Sequence, residues 1–246
     1  MIEALLLAVT RVTTVAAETE LTNATGFFFE RDGRLFLVSA RHVMHDEASG
    51  HRPDKLMVDL HADPANAVAL TRLAVPLYQD DKPVWREGVD SAGEVDIAVV
   101  ELDRAAFPAS PSLKAFTPAH LVNRLDDIEV GTPILIVGFP LGFRDTLHNL
   151  PVARQAIIAT SFGLRFQGQG YFLTDARMHR GASGAPVVAR GAAGKSGREH
   201  LNWRLLGVHT SRMDVNNRDL VEDERLNLNC AWYADIIMTL TEPPGG

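Results

Sequence analysis

Short apolar stretches alternate with polar turn residues along most of the chain, and few runs persist beyond eight residues. Strict alternation, or a brief β-branched apolar run, predicts strands, because successive side chains of a strand point to opposite faces. In the first half such segments fall at 9–15, 25–30, 35–39, 55–60, 68–75 and 97–102. A second set falls at 133–138, 152–160, 170–174, 186–190, 205–210 and 226–232. Between the sets Pro108, Pro111 and Pro118 break the pattern. Thr117-Pro118 pairs a cap residue with a first-position proline and predicts a short connector helix as far as Leu125. Residues 233–240 have helical spacing and predict a terminal helix. Asp32-Gly33 between two apolar runs predicts a hairpin turn. Segments 191–202 and 211–224 are long and charged and read as loops. Many short strands with regular turns point to two sequential β-barrels.

Composition narrows what such a chain does. With 246 residues, 46% of them hydrophobic, it buries a sizeable core as one large or two small domains. A net charge of −7, no basic tract and no phosphate-cradling glycine loop argue against nucleic acid and nucleotide partners. The single cysteine, Cys230, rules out an internal disulfide, so packing alone must hold the fold, as suits a reducing compartment. At the start of the chain Glu3 stands where a signal peptide would carry a basic residue, and Arg11 cuts the apolar run short. No stretch approaches the roughly 18 apolar residues needed to span a bilayer. The expectations are a cytoplasmic protein with no membrane partner, no cofactor and no metal.

The chemistry concentrates in Arg180-Gly181-Ala182-Ser183-Gly184-Ala185-Pro186. A serine between two glycines makes a sharp, exposed turn, and Gly181 lets its own N–H and that of Ser183 converge on one spot. Two such donors stabilise the oxyanion formed when a hydroxyl attacks a carbonyl. Gly/Ser/Ala/Pro clusters are most often plain turns, so the rest of the chain must supply a base and an orienting acid. His42 follows directly on one predicted strand, and Asp96 stands just before the apolar run Ile97-Ala98-Val99-Val100. His, Asp and Ser occur in that order, each beside a strand. Asp90 and Asp46 are weaker candidates, because only Asp96 leads into an apolar strand. His45, His51, His120, His148 and His200 read as solvated loop residues.

These segments resemble the trypsin-like, chymotrypsin-fold serine peptidases, in particular the bacterial branch that includes the periplasmic heat-shock proteases. The histidine block is Thr25-Gly26-Phe27, a hairpin, then Ala40-Arg41-His42-Val43; the aspartate block is Asp96-Ile97-Ala98-Val99. The serine block runs in register from Thr174-Asp175-Ala176 to Gly181-Ala182-Ser183-Gly184-Ala185-Pro186, and Gly138-Phe139-Pro140-Leu141-Gly142 is similar to the turn preceding the site. Ala185 replaces the usual glycine, and Arg180 a residue that is often proline. The resemblance implies an all-β fold of two six-stranded antiparallel Greek-key barrels, divided at 1–115 and 116–246, with the connector and C-terminal helices. It implies His42 as base, Asp96 as its orienting acid and Ser183 as nucleophile. Gly181 and Ser183 would form the oxyanion hole, and Thr210 would support Asp96 by a hydrogen bond. Arg177, Met178, Arg180 and His209 would wall the specificity pocket. Gly207-Val208-His209 resembles the glutamyl endopeptidases, which implies a preference for Glu or Gln before the cut, with a medium apolar residue as the alternative. Protein or peptide is then the substrate, the oligomeric state is left open, and activation by a new N-terminus is not expected.

Two other classes compete. An α/β-hydrolase esterase carries Gly-x-Ser-x-Gly between a strand and a helix, with its partners after the serine. Here Ala185 replaces the last glycine, and the candidate partners precede Ser183. A catalytically idle peptide-binding module on the trypsin-like fold is the second rival.

Overall fold

The computed structural model describes residues 2–122, 124–191, 197–213 and 226–243. Much of the two charged segments, 192–196 and 214–225, therefore lies outside the described residues. A single helical turn, α1 (Ala4–Leu7), precedes β1 (Val9–Ala16), β2 (Thr19–Arg31) and β3 (Arg34–Ser39). A second turn, α2 (Arg41–Met44), leads to β4 (Lys55–His61) and β5 (Leu70–Pro76). A small hairpin, β6 (Tyr78–Gln79) and β7 (Lys82–Pro83), stands before β8 (Arg86–Asp90) and β9 (Gly93–Leu102). The second half holds β10 (Pro133–Gly138), β11 (Val152–Ile158), β12 (Tyr171–Asp175), β13 (Ala185–Arg190), β14 (Trp203–Arg212), β15 (Leu228–Tyr233) and the terminal α3 (Ile236–Leu240). All-β is thus the class, with α-helix confined to short turns among the described residues.

The two halves differ in closure. Strands β10-β11-β12-β15-β14-β13 form a closed six-stranded antiparallel barrel. The first half is instead an open seven-stranded sheet, β5-β4-β1-β2-β3-β9-β8, which corrects the expectation of a second six-stranded barrel. The physical reason lies at β9: β8 pairs with it at Ala98 and Val99, so that edge is occupied and β5 closes no ladder across it. Side chains span the seam instead. Leu73 and Val75 of β5 share a buried cluster with Ala98, Val100 and Leu102 of β9.

Local chemistry explains the turns. Asp32 and Gly33 both take positive φ, at 51° and 75°, which is the left-handed geometry that a two-residue hairpin needs to follow the strand twist. The expected connector helix is replaced by two 3-10 turns, Pro118–His120 and Leu125–Asp127. His120 belongs to that first turn rather than to a solvated loop. Its Nδ1 accepts from the Thr117 N–H at 2.9 Å, and its Nε2 donates to the Leu201 carbonyl at 3.0 Å. Burial outweighs these bonds and lowers its pKa.

A further core joins the halves. Phe27, Phe29, Phe36 and Val95 from the first pack with Phe116, Val137, Phe139, Val208 and Trp232 from the second. Buried aliphatic and aromatic side chains of this size each contribute about 1.5–3 kcal/mol relative to exposure. The crease between the halves is therefore a packed interface, and the candidate site opens along its edge.

Candidate active site

His42 is presented by α2, the single turn that follows β3. Arg41 Nη2 pairs with Glu94 Oε2 at 2.9 Å, fastening that turn to β9. Asp96 lies inside β9, since the strand begins four residues earlier than the apolar run suggests. Its Oδ1 accepts the His42 backbone N–H at 3.0 Å, and the His42 ring Nδ1 lies 2.9 Å from Oδ2 and 3.1 Å from Oδ1. A carboxylate only accepts, so Nδ1 carries the proton and Nε2 of the neutral ring is left as a lone-pair acceptor. Burial is the largest influence on His42 and pulls its pKa down. The Asp96 hydrogen bond and charge, with help from Asp46, outweigh it, and the net shift is upward.

The serine turn is held by backbone geometry that only glycine accommodates. Gly181 has φ +90°, and a Cβ there would lie 2.6 Å from the Phe139 carbonyl oxygen. Gly184 has φ +87°, and a Cβ would lie 2.1 Å from the Thr25 carbonyl oxygen. Thr25 is the hub of this region. It is fully buried, its Oγ1 donates to the Gly181 carbonyl at 2.8 Å and accepts from the Phe139 N–H at 3.0 Å, and its own N–H donates to the Ser183 carbonyl at 2.9 Å. The Leu141 N–H donates to the Arg180 carbonyl at 2.5 Å. Among the described residues the N–H groups of Gly181 and Ser183 have no protein acceptor. Ser183 Oγ donates to the Thr210 carbonyl at 2.9 Å, not to His42.

His42 and Ser183 line one cavity of about 390 Å³, with Met178, Arg180 and His209 along its walls. Arg177 is exposed and outside that lining. Six residues before Ser183 the chain is running outward, and Met178 takes the inward place, 4% exposed. Thr210 Oγ1 is buried and makes no hydrogen bond among the described residues. The cavity also exposes groups that the sequence reading passed over, notably His179 and Asn229. Asn229 is 1% exposed and donates to the carbonyls of Ala176 and Asn227, stiffening the pocket wall. Thr25 was within the quoted Thr-Gly-Phe block, but only the folded chain reveals its partners. Among the described residues no group of three or more His, Cys, Asp or Glu side chains is arranged to hold a metal ion.

The model of the trypsin-like peptidase domain matches residues 24–194, which is well over half of the chain and contains all three candidate catalytic positions. The chain belongs to the trypsin-like peptidase family. Serine protease HTRA1 of Xenopus tropicalis is 25% identical over 120 residues, covering 48% of this chain and 24% of that protein. Two solved structures share the fold. An HtrA-type protease, AlgW, solved with a tripeptide, has a TM-score of 0.55 at 16% identity, covering 95% of this chain and 58% of the other. A serine endoprotease from Yersinia pestis has a TM-score of 0.54 at 16% identity, covering 95% and 61%. The chain thus spans about a quarter of the curated relative and about three-fifths of these solved chains. The α/β-hydrolase alternative is excluded by the fold, since Ala185–Arg190 after the serine is a barrel strand, not a helix.

Proposed function

We propose that this protein is a serine endopeptidase working through His42, Asp96 and Ser183 and an acyl-enzyme intermediate. The observation that carries the reading is the His42–Asp96 pair facing the cavity that Ser183 lines, beside two unengaged N–H donors. Ser183 attacks the scissile carbonyl, and its proton passes to His42 Nε2. Asp96 holds the ring in the required tautomer and stabilises the imidazolium. The developing oxyanion is met by the N–H groups of Gly181 and Ser183, each worth on the order of 3 kcal/mol in the transition state. His42 then protonates the leaving amine, and water repeats the sequence on the acyl-enzyme. The two units divide at 115/116, with His42 and Asp96 in the first and Ser183 in the second.

The side chain before the cut enters between Met178, Arg180, His209 and Asn229. The pocket has an apolar wall, a buried imidazole and no carboxylate among its described lining residues. It therefore favours Glu or Gln over Lys or Arg, with His209 as the polar contact. A cleavage profile on a peptide library tests this: basic residues dominating before the cut, or an unchanged preference in His209→Ala, contradicts it. The substrate is protein or peptide. A cytoplasmic site of action fits a fold whose one cysteine is buried, with a thiol pushed by burial to about 11. Among the described residues no helix is long and apolar enough to cross a membrane.

One observation favours a second reading, an idle peptide-binding module. The Ser183 hydroxyl is hydrogen-bonded to Thr210 rather than to the base. Hydrolysis of an unfolded protein by the wild type, abolished in Ser183→Ala, supports the endopeptidase; peptide binding without turnover supports the module.

A further inference from the structure

We propose that Asn149 and Asp59 are positioning residues for the Gly181 oxyanion donor, acting through the loop 139–149; this rests on the endopeptidase reading above. The near end of the loop touches the serine turn. The Leu141 N–H donates to the Arg180 carbonyl at 2.5 Å. The Arg180–Gly181 peptide is trans and planar, so fixing its carbonyl fixes the direction of the Gly181 N–H on the opposite side. Leu141 makes this contact from φ 55°, a left-handed conformation that is costly for leucine and persists only where the surroundings enforce it.

What enforces it lies at the far end of the loop, on the other half of the molecule. Asn149 is 6% exposed, also left-handed at φ 51°, and donates from Nδ2 to Asp59 Oδ2 at 3.1 Å. Asp59 on β4 is held in turn by Arg72 Nε at 3.0 Å and Arg11 Nη1 at 3.5 Å. Beside it the His148 carbonyl accepts from His61 Nε2 at 2.7 Å. The Asp145 N–H donates to the Leu150 carbonyl at 3.2 Å, and Arg144 Nη1 to the Gly142 carbonyl at 3.1 Å, so the anchored end is braced back to the Leu141 turn. Apolar packing contributes little restraint here, because Leu141, Phe143 and Leu147 are 73%, 68% and 64% exposed. The polar bonds to Asp59 and His61 are what hold its far end. The first half thereby sets an oxyanion donor that belongs to the second.

The test is steady-state kinetics of Asn149→Gly, Asn149→Asp and Leu147→Ser beside the wild type, with melting temperatures and the Gly181 amide followed by NMR. Gly keeps the left-handed backbone while deleting the amide, and Asp sets a like charge against Asp59. Both are expected to lower kcat by about 10- to 100-fold with KM within about twofold, since a misplaced donor is lost only in the transition state. Leu147→Ser keeps wild-type kcat. The Gly181 amide exchanges faster and shifts in Asn149→Gly, at a temperature where the variant is fully folded. An unmoved Gly181 amide with unchanged kcat overturns the proposal, as does an equal loss in Leu147→Ser. A wild type without turnover defeats the endopeptidase reading instead, and the Gly181 amide still decides whether Asn149 positions it.

Discussion

The Ser183 hydroxyl donates to the Thr210 carbonyl at 2.9 Å, while the His42 ring is turned to Asp96 at the same distance. Both residues, Ser183 and His42, line one cavity, yet the serine hydroxyl is engaged elsewhere. Turning toward His42 costs Ser183 a single hydrogen bond worth about 1 kcal/mol. That is small beside the interactions a bound peptide makes, and hydrogen bonds of catalytic groups commonly tighten only on substrate binding.

The pH dependence follows from the His42–Asp96 pair. His42 must be neutral to accept the serine proton, and its pKa is raised above the ordinary value of 6.5. The acid limb of kcat/KM in the free enzyme is therefore expected above pH 6.5. For stability the sign is the opposite: the protonated pair stabilises the fold at pH below the unfolded histidine value, and this is lost as pH rises through the raised folded value. Asp96→Asn removes the raising charge, so the limb moves down while kcat falls by about 10⁴. A pH–rate profile of both proteins checks this; a limb that does not move in Asp96→Asn contradicts the assigned coupling.

Thr25→Val keeps the shape of the side chain and deletes its hydroxyl. The Gly181 carbonyl and the Phe139 N–H then lose their partner in a buried site. Each unpaired group costs roughly 1–3 kcal/mol, and the serine turn loses one of its supports. Chemical denaturation is expected to show that loss, and kcat should fall more than KM rises. A variant as stable and as active as the wild type would mean that Thr25 is no hub.

Gly184→Ala tests the backbone of the turn. The new methyl would stand 2.1 Å from the Thr25 carbonyl oxygen and 2.2 Å from Ser39 Oγ, at a φ of +87°. Neither neighbour yields easily, because Ser39 Oγ itself donates to that carbonyl at 2.8 Å. A destabilisation of at least about 3 kcal/mol is expected, from overpacking and left-handed strain together. Thermal melting decides it, and a variant melting within a degree or two of the wild type would contradict this geometry.

Much of this architecture was legible in the order of residues, and the failures have physical causes. The barrel strands and the Asp32-Gly33 turn announce themselves through two-residue periodicity and a turn that tolerates positive φ. The connector was misread because Thr117-Pro118 signals the start of a helix but says nothing about its length. His120 ends that turn by folding back on Thr117 and bonding to Leu201, a partner distant in sequence. Closure of the first sheet failed as an expectation for a similar reason, since the half-exposed β8 carries too weak a pattern to reveal that it occupies β9. At the site, the residue types of His42, Asp96 and Ser183 pointed to the chemistry. The second layer around them, Thr25, Leu141 and Asn149, acts through backbone groups and long-range bonds that leave no motif.

The most direct test of the central claim is covalent labelling by a fluorophosphonate, which reacts only with a serine that a base has activated in a site bearing an oxyanion hole. The wild-type protein is expected to be labelled stoichiometrically, with the adduct on Ser183 by peptide mass spectrometry. Ser183→Ala should take up none, and His42→Ala should react at least about a thousandfold more slowly. A folded wild type that stays unlabelled at neutral to mildly alkaline pH, or that is labelled equally well in His42→Ala, would contradict the account.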